Sequence, residues 1–165
     1  NGRLEVGRSV AEAALAQTVV AEAQTVEQFV ELLKLEQGSL SRGDTDALAG
    51  HAERKMEFAA RLNELAAERN AALASLGFAA DRAGVEAWCA KHPAEEVAAK
   101  AWVRVIALAG EARELNRLNG ELIRLRMQYN AKALEALRGG ASSLDLYGPD
   151  GQATTPGRQR INHSV

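Results

Sequence analysis

Between Ser9 and Arg138 apolar residues recur at helical intervals and breaks are few. Val19, Val26, Leu33 and Leu40 stand at a constant interval of seven, with Ala23, Phe29 and Val30 filling the same side. An interval of seven kept over three steps marks a seam that faces another helix. Ser9 with Glu12 three residues later makes a capping box, in which each side chain satisfies the other residue's free backbone N–H. A first helix is therefore expected to begin at Ser9, and the residues ahead of it are given no structural role. At Arg42-Gly43-Asp44-Thr45-Asp46 the helix should end, because glycine adopts the left-handed conformation and Asp44 or Thr45 caps the next helix. Leu48, Ala52, Lys55, Ala59, Leu62, Ala66, Arg69, Leu73 and Leu76 then define one side of a second helix that stops at Gly77. So short a connection makes the two an antiparallel hairpin.

A short third helix is expected over 81–91, carrying Val85, Trp88 and Cys89. His92 precedes Pro93 and is biased out of the helical region, while Pro93 suits the first turn of a new helix. The fourth helix should run from about Ala94 to Arg138, some 65 Å at 1.5 Å per residue. Its main seam is Ala101, Val105, Leu108, Ala112, Leu115, Asn119, Leu122, Arg126 and Tyr129. Gly110 and Gly120 each cost about 1 kcal/mol inside a helix relative to alanine, a cost that close helix contact or a bend would explain. The pattern predicts an all-α protein: an elongated antiparallel bundle of a long hairpin and a longer C-terminal helix with one short helix between. The bundle is assigned to 9–138 and an irregular tail to 139–165, where Ser, Gly, Asp, Thr and Pro replace the core-forming residues.

Two apolar stripes share the fourth helix. Leu115, Leu118, Leu122, Leu125 and Tyr129 form one, enough to pack on the hairpin. Ile123, Met127, Leu134 and Leu137 form a second, rotated by about 100° because residues 122 and 123 are adjacent in sequence. A three-helix bundle needs only one stripe. The surplus covers a second copy, the chain's own tail, or a foreign amphipathic helix. In the tail, Leu144, Leu146 and Tyr147 stand just ahead of Pro149-Asp150-Gly151, a turn signal, and are read either as anchors for a groove or as part of a loop that caps the bundle end.

Composition narrows the classes. The 165 residues are 47% hydrophobic but only 4% aromatic, and 20 basic against 22 acidic side chains give a net charge of -2. That balance argues against a polycation that binds nucleic acid by counterion release. The uncharged stretch 13–21 is too short to span a bilayer, so no membrane insertion is expected. The single cysteine, Cys89, rules out an intramolecular disulfide and fits a reducing, cytoplasmic setting.

The chemistry of metal and nucleophile sites is missing. Helical di-iron sites place glutamate three residues before histidine, whereas Leu48 precedes His51 and Cys89 precedes His92 at that spacing. There is no Cys-x-x-Cys, no phosphate-binding glycine loop and no Gly-x-Ser-x-Gly elbow. Neither a cofactor nor a catalytic residue is expected. Cys89 beside Trp88 reads as a small core residue, with a reactive thiol as the alternative, and His51 and His92 as solvated or capping side chains. Asn116, Asn119 and Gly120 interrupt the fourth helix. They are read as residues that fix helix register, since a buried amide is costly unless paired, or as hydrogen-bonding groups for a bound partner. A hydrolase or phosphatase reading, with an amide orienting water beside Glu121, is the weakest of the three.

The run Leu115-Asn116-Arg117-Leu118-Asn119-Gly120-Glu121-Leu122 is followed by Ala133-Leu134-Glu135-Ala136-Leu137 and Leu146-Tyr147-Gly148-Pro149-Asp150-Gly151-Gln152. With the Gly-Asp turn between the first two helices and the terminal Arg158-Gln159-Arg160-Ile161, these segments resemble the FlgN family of flagellar type III export chaperones. The resemblance covers essentially the whole chain from Ser9, although the helix near 80–91 has no firm counterpart in the family pattern. It implies a cytoplasmic helper that binds the hook-filament junction proteins, the first and third hook-associated proteins. Such a helper keeps them unpolymerised and delivers them to the flagellar export gate and its ATPase complex. It further implies that the C-terminal part of the last helix and the tail carry substrate binding. The expected partner-binding residues are Asn116, Asn119, Gly120, Ile123, Met127, Leu134, Leu137, Leu146, Tyr147, Gly148, Asp150 and Gly151. The alternative is a homodimeric coiled-coil adaptor with no export substrate, in which the second stripe is a self-interface.

Overall fold

Two glycines set the turns that follow the first and second helices. Gly43 and Gly77 take φ of 78° and 81°, in the left-handed region that other residues occupy only at a cost. In the computed structural model, which describes the backbone of residues 2–144 and the side chains of residues 2–140, these turns separate the first three of four helices. They are α1 (Gly2–Arg42), α2 (Asp46–Ser75), α3 (Arg82–Lys91) and α4 (Glu96–Leu144). The fold is all-α, with no strand among the described residues. The chain divides into two units, 1–122 and 123–165, with the boundary inside α4.

In the first unit α2 returns along α1. Ser39 meets His51, Glu36 meets Lys55 and Glu22 meets Arg69, so numbers fall on one helix as they rise on the other. The amino-terminal half of α4 runs parallel to α1, since Glu27 pairs with Arg104 and Lys34 with Glu111. The seam of α1 faces inward as expected: Val19, Val26, Leu33 and Leu40 are all buried. One core cluster joins Leu15, Val19 and Ala23 to Leu73, Val85, Trp88, Ala98, Trp102 and Val105. A second joins Val26, Val30 and Leu33 to Ala112, with Phe29, Leu62, Leu108 and Leu115 packed against it.

Several expectations need correction. α1 starts at Gly2, not Ser9. Extending a formed helix is far cheaper than nucleating one, and Glu12 pairs one turn back with Arg8 at 3.2 Å instead of closing a capping box. On α2 the inward face is Leu48, Lys55, Phe58, Leu62, Leu65, Arg69 and Leu73, while Ala52 and Ala59 are exposed. The linear pattern passes over Phe58 and Leu65 because alanine tolerates either face, and Phe58 lies against Phe29 with ring centroids 6.0 Å apart. Asp81, expected as the first residue of the third helix, is its cap, accepting a hydrogen bond from the Gly84 N–H at 2.9 Å. Pro93 opens a turn, closed by the Glu95 N–H donating to the His92 carbonyl at 2.9 Å, and α4 begins only at Glu96. At its other end α4 passes through Gly139 and Gly140 to Leu144, although the pattern predicts a break after Arg138. Neither glycine has a positive φ, and two glycines without a capping geometry only weaken a helix.

Candidate functional site

The Asn116 to Gly120 run lies where α4 packs along the hairpin. Asn119 is fully buried and donates through Nδ2 to the Leu33 carbonyl and to Glu36 Oε1, both at 2.9 Å. Both partners are acceptors, which fixes the orientation of the amide. Glu36 Oε1 also accepts from Lys55 Nζ at 3.2 Å, and the same ammonium donates to Asn116 Oδ1 at 2.8 Å. One polar layer therefore ties α1, α2 and α4 together. A second layer holds Glu22 against Arg69, whose guanidinium lies 5.1 Å from the Trp102 ring centroid.

The two layers repeat one pattern. Glu22 and Glu36, Arg69 and Lys55, Trp102 and Asn116 are each separated by fourteen residues, two heptads. At 1.5 Å per residue the layers stand about 21 Å apart. Each presents a buried glutamate from α1, a cation from α2 and a polarisable or polar group from α4. Removing Glu22 from water pushes its carboxyl above the ordinary carboxylate range, and the adjacent Arg69 only partly offsets this. Buried charges of this kind add little net stability but penalise every register that separates them. Asn119 is thus enclosed within the bundle, while Asn116, itself exposed, joins the same layer through Lys55. Glu121, the acid considered beside them, lies on the surface 2.7 Å from Arg117.

Gly120 is exposed, and an added Cβ would meet nothing within 4 Å; the same holds for Gly110. Neither glycine serves a close helix contact. The tight glycine is Gly84, where a Cβ would fall 1.7 Å from the carbonyl oxygen of Ala79 in the turn ahead of α3. Nearby, the His92 Nδ1 is 2.8 Å from the Trp88 carbonyl and its ring stacks on Trp88 with centroids 5.1 Å apart, a capping role at the end of α3. Cys89 packs at the edge of the first core cluster, and burial pushes its thiol above its ordinary value, away from reactivity. His51 is half-buried with Nε2 3.2 Å from Ser39 Oγ. Among the described residues no set of His, Cys, Asp and Glu is arranged to hold a metal.

The second unit begins where the apolar frame changes. Ile123, Met127, Leu134 and Leu137 are 38%, 67%, 58% and 71% exposed. Leu125 and Tyr129, expected on the packed stripe, are exposed as well. Asn130, which sequence reasoning passes over, completes the second stripe: 123, 127, 130, 134 and 137 alternate steps of four and three. That is the spacing of a two-helix seam with one polar member. The expected anchors Leu146, Tyr147, Gly148, Asp150 and Gly151 lie outside the described residues.

The first unit is thus a helical bundle tied by internal polar layers, and the second carries exposed large apolar side chains along its helix. Comparison with known families places the chain: the FlgN protein family model matches residues 11–155. The chain belongs to the FlgN family, a family of flagellar export chaperones. Neither a curated protein nor a solved structure gives a significant match. Among the described residues no helix is long and apolar enough to cross a membrane.

Proposed function

We propose that this chain is a cytoplasmic chaperone for the hook-filament junction proteins, the first and third hook-associated proteins. It holds their polymerising segments apart and delivers them to the flagellar export gate and its ATPase complex. The observation that carries this reading is the exposed stripe Ile123, Met127, Leu134 and Leu137 in a member of the FlgN family. Four large apolar side chains facing water on one helix face are a standing cost unless a partner covers them. A junction protein segment folded as an amphipathic helix fits such a stripe. In this reading the region that follows α4 is a tail whose Leu146 and Tyr147 close over the bound segment, with Gly148, Asp150 and Gly151 aiming them. Asn116 and Asn119 serve by fixing the register of the bundle that presents the stripe, and Gly120 precedes its start. Binding is reversible and involves no chemistry, because delivery requires release.

The test is the affinity of the purified junction proteins for an Ile123→Asp, Met127→Asp variant whose helix content is verified by circular dichroism. A loss of at least about 2 kcal/mol is expected, the scale of central anchors in an interface. Undiminished binding by the folded variant would remove this face from the function.

A further inference from the structure

The seam of the second unit is bordered by one kind of charge. The positions that flank a two-helix seam are those just after 123, 130 and 137 and those just before 127 and 134. They are occupied by Arg124, Ala131 and Arg138 on one border and by Arg126 and Ala133 on the other. Every charged residue there is an arginine. Glu135 and Lys132 fall outside both borders.

Resting on the chaperone reading, we propose that these three arginines select the partner. The segment that docks on Ile123, Met127, Asn130, Leu134 and Leu137 is a helix whose own seam is flanked by acidic residues and carries one polar position opposite Asn130. The residues bordering a seam set partner choice and orientation through charge. A polar seam residue is tolerated when it meets another and penalised when it meets a hydrocarbon side chain, so Asn130 fixes register. The same pattern disfavours a second copy. With no acid on either border, self-pairing brings arginine against arginine or alanine and gains no attraction. A seam this narrow, broken by an amide, also suits a helix better than an acyl-chain surface, which favours a wide apolar face.

The test uses the full chain and two synthetic helical peptides with the same apolar seam and single asparagine, one flanked by glutamates and the other by lysines. Fluorescence anisotropy should show the acidic peptide bound about tenfold more tightly at low salt, from a few exposed ion pairs acting together. The preference should shrink as salt is raised. An Arg124→Gln, Arg126→Gln, Arg138→Gln variant, helical by circular dichroism, should lose the preference and still bind. Equal affinity for the two peptides, binding to neither, a preference retained in the triple variant, or capture by phosphatidylglycerol vesicles in place of either peptide would overturn the proposal. The two readings fail separately. If junction protein binding falls in the Ile123→Asp, Met127→Asp variant but is unmoved in the arginine variant, the docking face stands and charge selection falls. If neither variant changes it, the face itself is lost.

Discussion

At the scale of the residue, three glycines that look alike in sequence carry different duties. Gly84 is required by contact, since an alanine Cβ there would run into the Ala79 carbonyl oxygen, and the backbone N–H of Gly84 is already committed to Asp81. Gly84→Ala should cost about 1–3 kcal/mol, the range for forcing atoms into a filled site. Gly110 and Gly120 have open space where a Cβ would stand. Gly120→Ala should stabilise the protein by roughly 0.5–1 kcal/mol, by removing glycine's excess unfolded-state freedom inside a helix. Urea unfolding of both variants tests the pair, and a destabilised Gly120→Ala would show that this glycine has a contact or bend to serve. Sequence alone could not sort them. It displays a glycine's position in the helix, whereas the group opposite the missing Cβ is set by the path of the folded backbone, here the turn that carries Ala79.

At the scale of the element, the polar layers explain how helices with so many interchangeable alanines find one alignment. Sliding α2 by one heptad would leave both Glu22 and Glu36 buried without their cations, a cost of several kcal/mol. Arg69→Met tests this with a pH signature. Its removal leaves Glu22 buried and unpaired, and stability at neutral pH should fall by about 3–5 kcal/mol. The sign comes from the raised carboxyl of Glu22. A folded-state pKa above the unfolded one means that the folded protein holds the proton more tightly. Stability associated with this group is then full below the ordinary carboxylate pKa of about 4.3 and is lost as pH rises through the folded value. Without Arg69 that folded value climbs further, so the deficit in Arg69→Met should be largest near neutrality and narrow toward pH 4.5. A deficit independent of pH in thermal melts would mean that lost packing against Trp102, not the unpaired carboxylate charge, dominates.

At the scale of the whole molecule, the question is what covers the second stripe. The arginine borders give self-pairing no electrostatic gain, so the isolated chain is expected to be monomeric at micromolar concentration in light scattering. A stable dimer would assign the stripe to a self-interface and restore the adaptor reading.

Much of the scaffold was legible in the linear pattern. The seam of α1 at Val19, Val26, Leu33 and Leu40, the hairpin turn at Gly43 and the apolar stripe from Ile123 to Leu137 all depend on spacing along the chain. Helix periodicity and glycine's access to positive φ are local properties, and local properties are written in sequence. Tertiary structure decided the rest. It enclosed Asn119 within the bundle, because only folding brings Leu33 and Glu36 to its amide. It joined Glu22, Arg69 and Trp102 across three helices, and it chose Phe58 and Leu65 over Ala52 and Ala59 as the inward face of α2. Alanine's small side chain buries cheaply or stays exposed cheaply, so an alanine-rich helix leaves its facing undetermined until a neighbour arrives.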